Sequence, residues 1–395
     1  MSFSETLYFD YQATTPVDER VLQKMLPFFR EKAGNPHSAD HSIGWESSRA
    51  VAGAAEQVAA LIGADADEII FTSGATEANN LALLGIAGRA ADSGRHRVLV
   101  SAVEHKSVLG AARALEERFG LVVEHLPVDR DGCVSVRALE DRLDDTVLAV
   151  SIMAVNNEIG TIQDIGNLSA IARQVGAVFH TDAAQAPYTS EIGQLSRNVD
   201  LLSLSAHKMY GPQGVGALYV RRDLQSRIEP LIYGGGQQSG LRSGTLPLPL
   251  CIGMGAAAQL LLAPEQHFAT LDLRARRDRF VDKLSCLPWS MSVNGPPPAK
   301  RHPGNANICF HGFYAHDILS ALQPRLAAST GSACTSGLPA PSHVLKAIGL
   351  TSEEADSSIR FSLGLTTRDE DIDLAVELIA ATLDRLSGAA IAHSV

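Results

Sequence analysis

Two stretches, AVFHTDAAQ (residues 177–185) and DLLSLSAHKMYGP (residues 200–212), decide the fold of this chain. In the first, an apolar run ends at an acid, Asp182. In the second, an apolar run leads into a polar segment that contains Lys208 and then turns at a Gly–Pro pair. Short apolar runs of this kind are typical of strands buried on both faces of a parallel sheet. We therefore predict two buried strands, each with a reactive side chain at its carboxyl end.

An acid and a lysine at two strand ends suit a bound pyridoxal phosphate (PLP). The lysine forms a Schiff base with the cofactor aldehyde, and the acid keeps the pyridine nitrogen protonated so that the ring accepts electrons. Gln185 is placed to touch the cofactor hydroxyl, while Ser205 and His207 accompany the lysine. Taken singly, Lys208 would be a surface lysine before a turn and Asp182 a helix cap. Their occurrence together favours the cofactor.

Strand and helix alternate through the first 220 residues, which indicates an α/β fold with a mainly parallel sheet of the seven-stranded type. The predicted strands cover residues 68–72, 97–101, 121–125, 146–153, the two runs above, and 215–220. Polar residues follow several of them, at His105, Asn157, Asp182 and Lys208. Because ligands bind at the carboxyl ends of strands in such sheets, we expect these side chains to meet at one site.

The segment TSGATEANN, residues 72–80, predicts a phosphate-binding turn. A strand, a turn of small residues and the start of a helix offer backbone N–H groups and the positive end of a helix dipole to an anion. Thr76 could add a hydroxyl. Many turns between a strand and a helix look alike, so this signal depends on the others.

Four further side chains have two readings each. His105 is either a core histidine or a ring that stacks on the cofactor and moves protons. Asn157 either caps the next turn or binds a ligand. Arg360, in the strand SSIRFSLG, either pairs with an internal acid or forks onto a ligand carboxylate. Cys334, in STGSACTSGLPAP, is either a small buried hydrophobe or a nucleophile on an exposed loop.

Composition excludes several classes of protein. The chain has 395 residues, a net charge of -11 and 45% hydrophobic residues, which is ordinary for a globular protein and unsuited to binding nucleic acid directly. Five scattered cysteines with no CxxC pair predict neither a disulfide framework nor a metal site, and they fit a reducing cytoplasm. We see no secretory signal, and the apolar window 246–263 is interpreted as a buried helix rather than a membrane span.

The chain resembles the cysteine desulfurases, in the class V aminotransferase family of PLP enzymes, from about residue 7 to 386. The resemblance is closest to the group with a short Cys loop. It rests on nine motifs: LYFDYQATTPVD, FTSGATEANN, VEHKSVL, VNNEIG, HTDAAQ, SAHKMYGP, RSGTLP, STGSACTSG and SSIRFSLG. It implies fold type I, with a large PLP-binding domain (residues 14–262) and a smaller α+β domain (residues 1–13 and 263–395) that carries the Cys loop.

The resemblance also implies how the cofactor is held. Lys208 would carry PLP and later take the Cα proton of the substrate, Asp182 would pair with the pyridine nitrogen, and Gln185 with the phenolic oxygen. His105 would stack on the ring. The phosphate would contact Ala75, Thr76, Ser205 and His207, and also Thr245 from the other subunit of a homodimer.

The implied reaction removes sulfur from L-cysteine. Arg360 and Asn157 would hold the substrate carboxylate. Cys334 would take the sulfur as a persulfide, L-alanine would leave, and the sulfur would pass to an acceptor protein in iron–sulfur assembly, tRNA thiolation or DNA phosphorothioation. Two rivals stay open: a PLP enzyme of the same fold, an aminotransferase or a lyase that does not use Cys334, and a non-catalytic PLP-binding assembly subunit.

Three departures from the housekeeping desulfurases bear on the acceptor. The chain has Ala154 where they often have His before VNNEIG, DAAQAP where they have DATQS, and an end at SGAAIAHSV where they often carry an aromatic-rich tail. We therefore expect a dedicated sulfur supplier, for instance to nucleic-acid modification, rather than a partner of the usual iron–sulfur scaffold.

Overall fold

The computed structural model of the protein describes residues 6–88, 90, 94–189, 192–331 and 341–392. The strands are β1 (Leu7–Tyr8), β2 (Ile69–Thr72), β3 (Arg97–Ser101), β4 (Val122–Leu126), β5 (Val147–Ser151), β6 (Val178–Asp182), β7 (Leu201–Ser205), β8 (Gly216–Val220), β9 (Met291–Val293), β10 (Asn305–Phe310), β11 (Leu326–Ala327) and β12 (Ser358–Ser362). The helices are α1 (Glu19–Arg30), α2 (Ser42–Ile62), α3 (Ala75–Ala87), α4 (Lys106–Phe119), α5 (Val136–Glu140), α6 (Ile165–Gln174), α7 (Leu195–Asn198), α8 (Leu248–Leu261), α9 (Pro264–Ser285), α10 (Ala315–Leu322), α11 (His343–Ala347), α12 (Ser352–Asp356) and α13 (Asp369–Ala392).

The central sheet has seven strands in the order β2-β8-β7-β6-β5-β3-β4. All pairs are parallel except those that β8 makes with β2 and β7. The carboxyl ends of the other six strands therefore lie at the same edge of the sheet. The predicted α/β class with a mainly parallel seven-stranded sheet is confirmed, and β8 is its one antiparallel member.

Hydrophobic cores cover both faces of this sheet. One contains residues of α2 and α8, and the other contains residues of α3 and α4. Every residue of β5, β6 and β7 is buried, as the apolar runs predicted. Gly216 lets β8 pass close to the turn before α3, because a Cβ atom there would lie 2.6 Å from the Cα atom of Gly74. This close approach brings the start of α3 to the end of β7.

The C-terminal part has a core of its own. The antiparallel sheet β12-β10-β9 packs with α9, α10 and α13 around Phe280, Phe310 and Phe361. Phe9 from the N-terminal segment joins this core, and β1 pairs with β11. The predicted domain boundaries, 13/14 and 262/263, stay a prediction, although the N-terminal segment packs with the C-terminal part as that division requires.

Residues 250–284 form two helices rather than one continuous helix. Leu262 and Ala263 separate α8 from α9, and the two axes meet at 77°. Pro264 begins α9, where its fixed φ and missing N–H are tolerated, but it could not continue α8. In the described part of the chain no single helix is long and apolar enough to cross a membrane, and only the bent pair α8 and α9 would pass on length and composition.

Candidate active site

The carboxyl ends of the parallel strands border a cavity of about 690 Å³. Ten of the predicted site residues line it: Ala75, Thr76, His105, Asn157, Asp182, Gln185, Ser205, His207, Lys208 and Arg360. Thr245 is exposed and does not line the cavity of its own chain. Cys334 lies outside the described residues. The sequence patterns thus predicted which side chains meet, although they left the distances open.

Lys208 lies in a short helical turn directly after β7. Its Nζ atom donates hydrogen bonds to the backbone carbonyls of Gln12 (2.5 Å) and Ala13 (2.8 Å), which hold the amine in the cavity. Burial lowers the pKa of Lys208 to about 8, with a further lowering from the charge of Arg360 and opposition from Asp10 and Asp182. At neutral pH, a lysine whose pKa is about 8 is in the neutral, nucleophilic amine form more often than a surface lysine is.

Asp182 ends β6 and is held by two donors. Asn79 Nδ2 donates to its Oδ2 atom at 2.7 Å, and the backbone N–H of Ala184 donates to its Oδ1 atom at 3.0 Å. The second bond is a local turn contact, and no helix starts at Asp182, so the alternative reading as a helix cap is wrong. The carboxylate lies in the cavity on the same sheet edge as Lys208.

A hydrogen-bond chain connects Asp182 to His105. Asn79 donates to the hydroxyl oxygen of Ser107 at 2.9 Å as well as to Asp182, and Ser107 Oγ lies 2.8 Å from His105 Nδ1. The backbone N–H of Ser107 also donates to His105 Nδ1, which caps α4. Because Nδ1 accepts, the proton of the neutral ring is on Nε2. The structure therefore fixes the tautomer of a histidine that faces the cavity.

His105 is not a core histidine, because its side chain is exposed to the open cavity. Desolvation by the surrounding protein lowers the pKa of His105. The negative charge of Asp182 opposes this shift, and the positive charge of Lys208 adds to it. His180 on β6 is a core histidine by contrast: its ring nitrogens lie within hydrogen-bond distance of Ser151 and Ser203, and burial lowers its pKa to about 4.

The start of α3 forms the other end of the cavity. No side chain caps this helix, so its first backbone N–H groups face the cavity beside Ala75 and Thr76. Ser205 lies across from them, since its hydroxyl oxygen is 3.9 Å from a Cβ atom built on Gly74. His207 Nδ1 lies 3.1 Å from Thr14 Oγ1, and burial lowers its pKa to about 4, so the ring is neutral. This arrangement can bind an anion.

Arg360 on β12 is 3% exposed and already has two partners. One terminal nitrogen donates to Asp10 Oδ1 at 2.6 Å, and the other donates to the backbone carbonyl of Asn157 at 2.8 Å. Its Nε atom is buried without a partner. The reading in which Arg360 pairs with an internal acid is therefore confirmed. The reading in which it binds a ligand carboxylate stays a prediction, for which the arginine keeps unpartnered N–H groups.

Several cavity residues were not identified from the sequence. Asp10 and Gln12 line the cavity and lie in the quoted motif LYFDYQATTPVD. Asn79, in FTSGATEANN, acts on the cavity through its hydrogen bond to Asp182. None of the three had a pattern of its own. Gln185 Nε2 donates to the carbonyl oxygen of Gln12 at 2.9 Å, which places this segment against the end of β6. Only the packing of the N-terminal segment across the sheet edge shows the role of Asp10 and Gln12.

Two buried acids join the C-terminal part to the cavity. Glu104 is 0% exposed, accepts a hydrogen bond from the N–H of Met153 at 2.6 Å, and has a pKa raised well above its usual value by burial. Ser342 Oγ donates to Glu158 at 2.5 Å. His343 Nε2 lies 2.9 Å from the carbonyl oxygen of Glu104. These contacts fix the start of α11 against the cavity.

The residues present fit PLP. An uncapped helix start suits its phosphate, a buried carboxylate suits its pyridine nitrogen, and an amine of lowered pKa suits its aldehyde. Gln12 Nε2, Asn79 Oδ1, Glu104 Oε2 and Arg360 Nε lie in or beside the cavity without partners. Buried polar atoms are nearly always paired in folded proteins, so these four indicate that the cavity normally holds a polar ligand.

Comparison with known proteins agrees with this site. The family Aminotransferase class-V matches residues 7–375. The chain is 46% identical over 380 residues to cysteine desulfurase IscS of Rickettsia akari (strain Hartford), which covers 96% of this chain and 92% of that protein.

Two solved structures are similar in fold as well as in sequence. A NifS-like protein aligns with a TM-score of 0.88 and 34% identity, covering 95% of this chain and 99% of that one. SspA in complex with cysteine aligns with a TM-score of 0.79 and 36% identity, covering 90% and 98%. The chain therefore belongs to the class-V aminotransferase family of PLP enzymes and, within it, to the cysteine desulfurases.

Proposed function

We propose that this protein is a PLP-dependent cysteine desulfurase that releases L-alanine from L-cysteine and keeps the sulfur as a persulfide on Cys334. The observation that carries the proposal is the meeting of Lys208, Asp182 and Arg360 in one cavity. An amine whose pKa is about 8, a buried carboxylate and a guanidinium with unpartnered N–H groups are what an amino-acid substrate and PLP together require.

Each end of the cavity has its own part in holding the cofactor. The start of α3, at Ala75 and Thr76, together with Ser205 and His207 opposite, would hold the phosphate. Asp182 would pair with the pyridine nitrogen, Gln185 would pair with the phenolic oxygen, and His105 would stack on the ring. When bound through Lys208, PLP supplies an electron sink that weakens the bonds to the Cα atom of the amino acid joined to it.

Substrate binding uses the free edge of Arg360. Its Nε atom and the N–H groups not used by Asp10 and Asn157 bind the carboxylate of L-cysteine, with the Asn157 side chain alongside. Lys208 would be the base that takes the Cα proton. His105, with Nδ1 held by Ser107 and its proton on Nε2, is placed to exchange a second proton with the substrate.

Sulfur transfer requires Cys334. Its thiolate forms an S–S bond with the substrate sulfur as the C–S bond breaks, and the electron pair of the broken bond stays with the carbon fragment, which gains a proton to give L-alanine. The persulfide then passes its outer sulfur to an acceptor protein. Iron–sulfur assembly, tRNA thiolation and DNA phosphorothioation are the acceptor systems we consider, and labelled sulfur on Cys334 would identify the recipient.

The active enzyme in this proposal is a homodimer in which Thr245 contacts the phosphate in the partner's cavity. Thr245 is exposed in its own chain, and the segment just before its loop exposes Leu231, Ile232 and Tyr233, the last at 77%. Exposed apolar side chains next to a glycine-rich loop are typical of an interface. Sedimentation should give a dimer. Thr245→Val should weaken PLP binding, while the protein should remain a dimer.

Replacement of Cys334 tests the proposal most sharply. Cys334→Ala should abolish alanine and persulfide formation while the protein keeps its PLP absorbance. Cys286→Ala is the matched control, because Cys286 is an exposed free cysteine that does not line the cavity. If Cys334→Ala kept full turnover of L-cysteine, the protein would be another PLP enzyme of this fold, an aminotransferase or a lyase.

A further inference from the structure

The structure has a second cavity, of about 740 Å³, that shares no lining residue with the active-site cavity. It is bordered by the first turns of α9, by the segment after β6 around Tyr188, and by loop residues near Ile162 and Lys300. It is as large as the active-site cavity, and none of the residues to which we assign a role in binding PLP or L-cysteine lines it. A cavity of this size accommodates a small organic molecule.

Unpartnered polar atoms mark this cavity just as they mark the active site. Among the described residues, seven buried side-chain nitrogen or oxygen atoms have no hydrogen-bond partner. Four lie in or beside the active-site cavity, and the other three, Tyr188 Oη, Gln266 Nε2 and Arg274 Nε, belong to residues that line the second cavity. Leaving such atoms unpaired is costly, so their concentration at two places points to two ligand sites.

The three atoms have one chemistry in common, since each carries a hydrogen to donate. Tyr188 is only 8% exposed, and its ring is fixed edge-on against His302 and Tyr210, with centroids 6.2 and 6.1 Å away. Its hydroxyl therefore cannot turn to another partner without repacking. A ligand that satisfies these donors must offer hydrogen-bond acceptors.

The charge of the cavity indicates that the acceptor is an anion. Arg274 and Lys300 line the cavity, and neither side chain forms an ion pair or a hydrogen bond with a described residue. Asp164 is the one acid of the described lining, and its Oδ1 atom accepts the N–H of Asn167 at the start of α6. Two unpaired cations in a chain of net charge -11 form a local positive site.

The remaining walls are apolar, with Ile162, Pro187, Leu261 and Leu271 among them. Gln266 and Arg274 lie two helical turns apart on one face of α9, a separation of about 12 Å along the axis. Gln266 and Arg274 thus lie at opposite ends of an apolar surface that is long enough for a hydrocarbon chain of several carbon atoms.

We propose that this cavity binds an elongated organic anion, with a carboxylate head at Arg274 and Lys300 and a hydrocarbon body against Leu261 and Ile162. The guanidinium and ammonium supply charge-assisted hydrogen bonds to the head. Tyr188 and Gln266 donate to any acceptor at the far end. The site is separate from the catalytic cavity and does not depend on the proposed desulfurase activity.

Hexanoate is the probe for this proposal, measured by calorimetry on the full-length protein with PLP bound. Acetate lacks the hydrocarbon body, and hexan-1-ol lacks the charge. We expect hexanoate to bind more tightly than either. Because a carboxylate could also reach Arg360, the titrations are repeated with Arg360→Gln, which should leave this binding unchanged.

Charge-removing variants locate the site. Arg274→Gln should weaken hexanoate binding about tenfold or more, as expected when a hydrogen bond to a charged group is lost. Lys300→Gln should weaken it by a smaller factor. Arg113→Gln, on the exposed face of α4, removes the same charge elsewhere and should have no effect.

The proposal is overturned if hexanoate does not bind, if hexan-1-ol binds equally well, or if Arg274→Gln and Lys300→Gln both bind hexanoate as the unmodified protein does. The last result would mean that hexanoate binds elsewhere on the protein. Circular dichroism and PLP absorbance confirm that each variant is folded, and the two variants stand on different segments, so failure of one to fold leaves the other as the test.

Discussion

The two cavities of this protein are similar in volume and opposite in how their charges are arranged. In the active site, Arg360 is paired with Asp10, Asp182 is held by Asn79, and Glu77 binds Arg242. In the second cavity, Arg274 and Lys300 have no counter-ion among the described residues. A site for chemistry must keep its groups in fixed positions before the substrate arrives, whereas a site for binding alone can leave its charge to the ligand.

The comparison predicts that loss of one partner in the active-site network has a large effect on rate. Asp182→Asn should lower kcat about 10- to 1,000-fold. A carboxylate beside the protonated pyridine nitrogen of PLP would raise the pKa of that nitrogen by about 1 to 3, and an asparagine would not. The amide keeps an oxygen that Asn79 can bind, so PLP should still be retained. Steady-state kinetics with PLP absorbance measured on the same samples separates the two effects, and an unchanged kcat would contradict the assignment.

Arg360→Gln should act on substrate binding. Its guanidinium is the charged donor proposed for the carboxylate of L-cysteine, and losing a hydrogen bond between charged groups costs about 1.5–3 kcal/mol, or roughly 10- to 100-fold in affinity. We expect KM for L-cysteine to rise by that factor. Asp10→Asn, which leaves the guanidinium in place, is the control and should raise KM less. Equal KM values for Arg360→Gln and the unmodified protein would exclude this role.

The pH at which Lys208 reacts with PLP should respond to the charges around it. In cofactor-free protein the neutral amine attacks the aldehyde, so the rate of attachment should rise with pH through about 8, the lowered pKa of Lys208. Arg360 lowers this pKa and Asp10 raises it, so Arg360→Gln should move the midpoint up and Asp10→Asn should move it down. A midpoint near the ordinary lysine value, about 10.4, would show that burial has no effect.

The smallest predicted effect is on stability and separates partnered from unpartnered groups. Tyr188→Phe removes a buried hydroxyl that has no partner, so the free energy of unfolding should stay the same or rise. Asn79→Ala removes a buried donor to Asp182 and Ser107 and should cost about 1–3 kcal/mol. Denaturant titration of both variants checks the contrast. A large loss in Tyr188→Phe would mean that this hydroxyl is satisfied within the protein.

The sequence was sufficient for much of the fold because its signals are local. Apolar runs on β5, β6 and β7 predicted strands, and polar residues after them predicted the edge at which a ligand binds. The direction of β8 and the break between α8 and α9 were not predicted, since both depend on how distant segments pack. Gly216 explains how β8 fits beside the turn before α3, and Pro264 explains why α8 ends before α9. Both explanations require the positions of the neighbouring residues.

The site was predictable in its residue types but not in its connections. Lys208, Asp182 and Arg360 stand out because charged residues at the ends of or inside apolar strands need a reason to be there. Asp10 and Asn79 gave no such signal, because each acts through a partner 350 or 103 positions away in the chain. The network that orients the reactive groups is therefore a property of the folded molecule.

The most direct test of the account is the position at which PLP becomes attached. Borohydride reduction of the PLP-loaded protein, followed by peptide mapping, reports which amine carries the cofactor. Lys106 also lines the active-site cavity and serves as the internal comparison. We predict that the cofactor mass is found on the peptide containing Lys208 and that Lys208→Ala abolishes it. Attachment at Lys106, or no attachment at any lysine, would contradict the central claim.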